Sequence, residues 1–511
     1  MASRHRGKRW LPWVGLAASL LVIAAAVILV VATGRQGDVS NPNVEFRGTQ
    51  TETQPHGPVQ VPPKRGHPAD DGFKWPYFGF DQARTRVLGL PKPLRPPFRI
   101  AWLYNTHELI EFSPVSCGRS LFLLGDSGTL FKISRWTGQP QWKRKLGDLA
   151  SASPACSGGR VFVPLLRGIG SSTGRIAALE TDKGHLLWSQ HLAARAESSP
   201  LLVKGKLYFG DEGGKVFAMD AKTGRHLWTF QASGAVKGAL ALDSGKLYFG
   251  TYGGRVYAIR RSNGHLVWEK NAATAGAFGL GGGNFYSTAA VEYGRVYLGA
   301  TNGAIYSFAA SNGALAWRKQ TGNYVYASPA VGAVAGGPPT VWIGSYNGTF
   351  YALNARSGGV RWQRTLGGKL SGAPAVIGDL VFVSSFNTRT TWALGANTGQ
   401  VIWKIQRGAF NPVISDGRRL YFNGYATLFG LDPKGHTFAP KQKIPRHTPA
   451  SKRASYKKHR AQRNRTAAKR KRAAARKRAA RRKAARHRRA VAKHRRFCRH
   501  HRHAKRCRTS R

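Results

Sequence analysis

The chain has 511 residues, of which 81 are Lys or Arg and 22 are Asp or Glu, giving a formal charge of +59. This length allows one large folded core with appended segments. The charge favours anionic partners such as nucleic acid, phosphate-rich wall polymers or acidic lipid. Four cysteines are too few for a disulfide-rich scaffold, so they do not identify the redox compartment.

The N-terminal region predicts a single-pass membrane anchor. Residues 1–10 are basic and are expected to stay in the cytoplasm, and residues 11–33 are an uncharged apolar run long enough to span a bilayer as a helix. A cleaved signal peptide is the alternative, although its apolar region is usually shorter. Residues 34–73, rich in Pro, Gly, Gln, Asn and Thr, are predicted to form an extended tether to an extracytoplasmic domain.

One phrase recurs along the middle of the chain, and its clearest copy is Met219–Trp228. Asp220 can accept hydrogen bonds from the backbone two residues on, and Gly224 tolerates the positive φ of a tight turn. The tryptophans that end successive copies, from Trp142 to Trp403, lie 46, 40, 40, 49, 45 and 41 residues apart. A period near 40 predicts an array of similar units.

Each unit contains four segments of alternating apolar and polar residues separated by glycine turns. In one unit they begin near Ser199 and continue through residues 206–210 and 215–218 to the tryptophan segment. This period-2 alternation predicts strands throughout, and four antiparallel strands in about 40 residues are typical of a β-propeller blade. The fold is therefore predicted to be an all-β propeller over residues 74–440.

The last unit, residues 412–434, has only three such segments, whereas residues 98–102 form a segment without a unit of its own. Pairing these two regions would close the ring and remove its open sheet edges. Counting one blade per tryptophan predicts eight blades, with seven as the alternative. The blade tryptophans are Trp102, Trp142, Trp188, Trp228, Trp268, Trp317, Trp362 and Trp403.

Residues 218–228 and their copies resemble the pyrroloquinoline-quinone-type propeller repeat. That repeat is found in quinoprotein alcohol dehydrogenases and in the propeller lipoprotein of the outer-membrane barrel assembly machinery. The segment from Trp75 to Arg86 is similar to the lead-in that precedes many such propellers. The resemblance covers roughly residues 75–435 and implies the fold, but scaffolds and enzymes share the repeat, so it does not select a function.

The resemblance implies what an enzyme of this type would require: a bound quinone, a Ca²⁺ ion held by oxygen ligands, an Asp base and commonly two adjacent cysteines. The chain has no Cys-Cys pair and few acids, and Ca²⁺ requires 6–8 oxygen ligands. We therefore predict a non-catalytic binding or scaffold protein of the bacterial cell envelope, without a cofactor. A quinone-dependent dehydrogenase is the alternative.

Two groups of residues are candidates for ligand binding on the propeller. Glu111, Glu197, Lys237 and Tyr326 precede innermost strands, where side chains can face the central funnel. Aromatic residues recur in the turn between the second and third strands and could stack on a glycan or grip a peptide; they are Tyr252, Tyr346, Phe386 and Tyr425. The alternative is that they recur only because the blade repeats.

The cysteines allow several interpretations. Cys117 and Cys156 fall at nearly equivalent places in consecutive repeats, and two inert buried thiols are favoured over a cross-blade disulfide. Cys498 and Cys507 lie among histidines and cations without paired zinc-ligand spacing; an unpaired state is favoured over a local disulfide, and both over a zinc site.

Residues 441–511 hold 32 Lys and Arg and no acid, which leaves +27 of the formal +59 for residues 1–440. This tail is predicted to be disordered by self-repulsion and to bind anionic envelope polymers or acidic lipid, the alternative being a merely solvated segment. It resembles the Lys/Ala-rich tails of linker-histone-like proteins. Nucleic-acid binding would therefore follow if the tail were cytoplasmic.

Overall fold

The computed structural model describes residues 37–47, 74–271 and 283–435, so the predicted membrane helix and basic tail lie outside the described residues. The described residues form 37 strands, most of which belong to eight sheets built on four antiparallel strands, and three of these sheets have an added fifth strand. These sheets are the blades of a propeller, numbered 1–8 here in chain order. The prediction of an eight-bladed all-β propeller is confirmed, and the seven-bladed alternative is wrong. Within the described ranges, no helix has the length and apolar character needed to cross a bilayer.

The four strands of a blade run from the centre of the ring outwards. The innermost strands are β5 (Val115–Cys117), β10 (Ala155–Ser157), β15 (Leu201–Val203), β19 (Ala241–Asp243), β23 (Ala290–Glu292), β27 (Ala330–Gly332), β31 (Ala375–Ile377) and β35 (Val413–Ser415). The second strands are β6 (Ser120–Leu124), β11 (Arg160–Leu165), β16 (Lys206–Gly210), β20 (Lys246–Gly250), β24 (Arg295–Gly299), β28 (Thr340–Gly344), β32 (Leu380–Ser385) and β36 (Leu420–Asn423).

The third strands are β7 (Thr129–Ser134), β13 (Arg175–Glu180), β17 (Lys215–Asp220), β21 (Arg255–Arg260), β25 (Ala304–Ala309), β29 (Thr349–Asn354), β33 (Thr390–Gly395) and β37 (Thr427–Asp432). The outermost strands are β8 (Pro140–Lys145), β14 (Leu186–His191), β18 (His226–Gln231), β22 (Leu266–Asn271), β26 (Leu315–Gln320), β30 (Val360–Thr365), β34 (Val401–Ile405) and, for blade 8, β4 (Arg99–Asn105). The inner strands carry apolar side chains on both faces of each sheet. The hydrophobic core therefore lies between neighbouring blades.

The recurring phrase forms the turn between a third and a fourth strand. In blade 3, Asp220 Oδ1 accepts hydrogen bonds from the backbone N–H groups of Lys222 at 3.1 Å and Thr223 at 2.8 Å. Gly224 closes the turn with a φ of +74°. These are the bonds of an Asx-type turn, and the positive φ is the reason for glycine at this position.

Seven of the eight blade tryptophans join their own blade to the next one. The indole of Trp188 in blade 2 donates to the carbonyl of Ala221 in blade 3 at 3.2 Å and lies directly over Gly224. The same donor bond to the following blade is made by Trp102, Trp142, Trp228, Trp268, Trp317 and Trp362. The sequence predicts that these tryptophans pack against a neighbouring unit, and the structure shows that contact repeated around the ring.

Blade 8 is built from both ends of the propeller sequence. Strand β4 pairs antiparallel with β37, for example Leu103 with Phe429, as the sequence predicts. The third and fourth strands of blade 8 come from opposite ends of the propeller sequence, so no glycine turn connects them. The indole of Trp403 in blade 7 therefore has no such turn to cover. It packs edge-on against Phe98 instead, with ring centroids 5.2 Å apart.

Residues 74–88, called the central plug below, cross the middle of the ring. Strand β2 (Lys74–Trp75) pairs with β5, and β3 (Val87–Leu88) pairs in parallel with β31. Between them, plug carbonyls accept from innermost strands of blades 2, 4, 5 and 6, so the plug bonds to six blades in all. The buried guanidinium of Arg84 adds contacts to carbonyls of blades 3 and 4, including Leu240 O at 2.9 Å.

Part of the predicted tether lies on the propeller. Strand β1 (Val39–Ser40) pairs with β26 as a fifth strand of blade 5. Phe46 stacks on Tyr293 with ring centroids 5.3 Å apart, and Arg295 donates to the carbonyls of Val44 and Glu45. Residues 39–41 therefore extend the outer edge of blade 5, and residues 44–47 lie against the turn between its first two strands. Residues 48–73 lie outside the described residues.

One prediction about the cysteines is wrong. Cys117 at the end of β5 and Cys156 in β10 form a disulfide, with their Cα atoms 6.3 Å apart. Innermost strands of neighbouring blades converge at the centre of the ring, and this brings two equivalent positions within bridging distance. Two short strands, β9 (Gly147–Leu149) and β12 (Arg167–Gly168), form an extra ribbon beside blades 1 and 2.

Candidate functional site

The innermost strands begin around one cavity of about 210 Å³, called the funnel below. The residue four positions before each innermost strand comes from the same place in every blade. In order of blades 1–8 these residues are Glu111, Ser151, Glu197, Lys237, Tyr286, Tyr326, Ser371 and Ala409. The repeat thus places a ring of eight side chains at the centre, and the sequence differences between blades give that ring its chemistry.

The floor of the funnel is formed by the central plug. Phe78 of the plug is buried with Ala239 and Ala373, and Phe112 packs against this cluster. The rings of Phe78 and Phe112 meet edge-to-face at 5.4 Å between centroids. Because the plug fills the centre below this layer, the funnel opens to one face of the propeller.

A fixed charge cluster occupies one side of the funnel. Lys237 Nζ lies 2.9 Å from Glu197 Oε2 and 2.7 Å from Glu212 Oε1. Burial lowers the pKa of Lys237, but the two carboxylates raise it by more, so its pKa is raised overall. Tyr286 donates its hydroxyl proton to the other oxygen of Glu197. Burial first, and then the Glu197 charge, raises the pKa of Tyr286 well above its ordinary value.

Glu111 is the second carboxylate in the funnel wall. Its Oε2 accepts a hydrogen bond from Ser151 Oγ at 2.6 Å. Burial raises the pKa of Glu111, and the nearby charge of Glu197 adds to this effect, while the Ser151 bond opposes it. Two acids and one base line the cavity, so its wall carries a net negative formal charge in a strongly basic protein.

Aromatic rings form the opposite side. Tyr286 contacts Tyr326 at 5.8 Å between centroids, and Tyr326 contacts Tyr346 at 4.9 Å. Phe410 also lines the cavity and stacks on Phe386 at 5.0 Å. The funnel therefore presents carboxylates on one side and the faces and edges of aromatic rings on the other.

The structure brings most of the predicted site residues together. Glu111, Glu197, Lys237, Tyr326 and Tyr346 line the funnel. Three predicted residues lie outside its lining, namely Tyr252, Phe386 and Tyr425. Tyr252 lies under Lys237 Nζ at 5.2 Å, Phe386 is partly exposed beside Phe410, and Tyr425 lies under the Arg389 guanidinium at 4.1 Å.

Sequence reasoning missed Tyr286, Phe410 and Glu212. Tyr286 occupies the same position as Glu197 and Lys237. The Ser-Pro pair that precedes the innermost strand in blades 1, 2, 3 and 6 is absent from blade 5, as it is from the blade of Lys237. Counting four residues back from every innermost strand would have found Tyr286. Among the described residues, no group of three or more His, Cys, Asp or Glu side chains is arranged to hold a metal ion.

The sequence matches a known family. Residues 126–330 and 301–437 match the family model described as "Outer membrane protein assembly factor BamB", and together they span more than half of the chain. BamB of Burkholderia pseudomallei is 32% identical over 95 residues, which is 19% of this chain and 23% of that protein. BamB of Salmonella typhimurium is 31% identical over 103 residues, or 20% of this chain and 24% of that protein. The alignments thus span about a quarter of each relative's length.

Solved structures share the fold at low sequence identity. BamB from Moraxella catarrhalis superposes with a TM-score of 0.53 at 18% identity, covering 67% of this chain and 99% of that one. Quinohemoprotein alcohol dehydrogenase from Comamonas testosteroni superposes with a TM-score of 0.57 at 15% identity, covering 74% and 83%. These superpositions establish the propeller fold, while the sequence match establishes the family. The chain belongs to the family described as outer membrane protein assembly factor BamB.

Proposed function

We propose that this protein is a non-catalytic binding scaffold of the bacterial cell envelope, which holds a protein partner at the funnel face of its propeller. The observation that carries the proposal is the funnel itself. It is a preformed cavity closed below by the plug, with one wall of hydrogen-bonded charged residues and another of packed aromatic rings. A rigid recess of this kind suits recognition of a side chain or chain segment, because little ordering is required on binding.

The disulfide supports a place outside the cytoplasm. Disulfides persist in oxidising compartments and are rare in the cytosol. Cys117 and Cys156 form one between two blades. This agrees with residues 11–33 acting as a membrane anchor with the propeller on the outer side. It also disfavours the nucleic-acid alternative, which requires a cytoplasmic tail.

Family membership supports a protein partner. The named relatives are outer membrane assembly factors, so we propose that the partner is a protein of the envelope. We further propose that residues 441–511 adhere to anionic envelope polymers or acidic lipid by charge. Deleting these residues should then abolish salt-sensitive retention on isolated envelopes, and unchanged retention would exclude that role for the tail.

The funnel residues do not fit a quinone with Ca²⁺. Calcium is held by several carboxylate and amide oxygens. Glu197 and Glu212 already hold the Lys237 ammonium between them, and an added divalent cation would have to displace it. The cavity of about 210 Å³ is also smaller than the roughly 300–1,000 Å³ usual for small-molecule and cofactor sites. We therefore propose that no quinone cofactor is bound.

Site-specific photo-cross-linking in cells tests the binding role. A cross-linking amino acid at Tyr324, which is 50% exposed, or at Phe386, which is 40% exposed, would report on the funnel face. Leu266 and Val360 on outermost strands are 49% and 43% exposed and serve as matched controls. We expect a discrete adduct with an envelope protein from the two funnel-face positions alone. Adducts from neither position, or equally from the controls, would contradict the proposal.

A further inference from the structure

The side chains that line the funnel differ from blade to blade, and these differences indicate which class of ligand the funnel would bind. Blades 1 and 3 contribute Glu111 and Glu197, whereas blades 5 and 6 contribute Tyr286 and Tyr326. Negative charge therefore faces aromatic rings across a narrow space. Such a combination favours a cation, which gains from both the carboxylates and the ring quadrupoles.

The two carboxylates, Glu111 and Glu197, differ in whether a cationic side chain is paired with them. Glu197 is held by Lys237 and Tyr286, so its charge is already compensated. Glu111 accepts from the neutral hydroxyl of Ser151, and within the described residues no base forms an ion pair with it. Glu111 is half-buried, so its carboxylate has lost part of its hydration without gaining a cationic partner, and a cationic ligand would offset that loss.

The dimensions of the funnel limit what can enter. Its volume is about 210 Å³, and its floor is the apolar cluster around Phe78. One long side chain can place its methylene groups against Phe78 and Phe112 and its charged end near Glu111. A whole strand or helix cannot enter, and an anionic ligand would meet Glu111 and Glu197.

We propose that the funnel binds one cationic side chain, a lysine ammonium or an arginine guanidinium, between Glu111 and the rings of Tyr326 and Tyr346. This inference rests on the proposed binding role of the funnel face and names the chemistry of its ligand. The side chain is proposed to come from a partner protein, because the proposed binding role of the funnel face is to hold such a partner.

Calorimetric titration of the purified full chain with n-butylammonium and agmatine tests the ligand class, with n-butanol as the neutral comparison. Loss of a charge-assisted hydrogen bond costs about 1.5–3 kcal/mol, so Glu111→Gln should weaken binding of the cations about tenfold or more. Glu269→Gln removes the same charge from an outer-strand ion pair and should leave binding unchanged. Tyr326→Phe should retain binding, and Tyr326→Leu should lose several-fold because the ring face is gone.

The same titration on a chain ending at residue 440 checks the source of the ligand, since the blade pairings and ring closure lie within residues 74–435. Equal cation binding by the two chains agrees with a partner's side chain as the ligand. Binding that appears only after truncation would overturn that assignment. If n-butanol binds as well as the cations, if Glu111→Gln has no effect, or if neither chain binds a cation, the inference is wrong. Funnel-face cross-links that persist in that case would leave the proposed scaffold role intact.

Discussion

At the residue scale, the blade turn depends on a glycine for two separate reasons. Gly224 has a φ of +74°, and a Cβ at this position would lie 2.7 Å from the Trp188 indole. The positive φ is required by the turn, and the missing side chain is required by the tryptophan of the preceding blade. The Thr-Gly…Trp phrase therefore recurs because it forms a contact between neighbouring blades, in addition to the turn within one blade.

Two glycine substitutions in blade 3 separate these reasons. Gly205 has a similar φ of +72° but no atom within 4 Å of a built Cβ. Gly205→Ala should therefore cost only the backbone strain, about 1–2 kcal/mol. Gly224→Ala should cost about 1–3 kcal/mol more, because the methyl group displaces a packed indole. Urea unfolding monitored by tryptophan fluorescence measures both, and equal losses would show that the inter-blade contact contributes little.

At the scale of strands and blades, ring closure combines strand pairing with a buried charge network. Arg419 in the turn before β36 donates Nε to Asp432 Oδ1 at 2.5 Å and Nη1 to the carbonyl of Trp136 at 2.8 Å in blade 1. Tyr421 donates to Asp416 at 2.6 Å in the same region. The bond to Trp136 joins blades 8 and 1, and the other two bonds hold the residues of blade 8 in place beside it.

Removing one partner of this network should be more harmful than removing both. Asp432→Ala leaves the Arg419 guanidinium buried without its carboxylate, and the expected loss is about 3–5 kcal/mol of unfolding free energy. The double variant Asp432→Leu with Arg419→Met should recover much of that loss, because no unpaired charge remains. Thermal unfolding of both variants makes the comparison. A double variant no more stable than the single one would mean that the network contributes more than charge pairing.

The repeated elements could be predicted from the sequence because tryptophans and turn glycines recur once in every blade. The central plug could not, since residues 74–88 have no periodicity and their path follows donors and acceptors on six blades. The disulfide was missed because sequence spacing does not show that β5 and β10 converge at the ring centre. Glu111, Glu197 and Lys237 could be placed at the funnel from their strands, and Tyr286 could have been placed there by the same count of four residues before an innermost strand.

At the scale of the whole molecule, the propeller is a closed ring with the funnel at one of its faces. The funnel carries carboxylates and tyrosines, and residues 39–41 extend the outer edge of blade 5. The ring is tied together by three independent means: the β4–β37 pairing, the central plug and the Cys117–Cys156 disulfide. Such a body suits a fixed docking platform in an oxidising compartment.

We propose above all that this propeller works in the cell envelope, outside the cytoplasm. Disulfide mapping tests this location most directly: protein isolated from its own cells with free thiols blocked at lysis is digested, and the peptides of Cys117 and Cys156 are analysed by mass spectrometry. We expect these two peptides to be linked to each other. Two blocked, unlinked thiols in the folded protein would indicate a reducing compartment and would contradict the envelope location and the functions proposed from it.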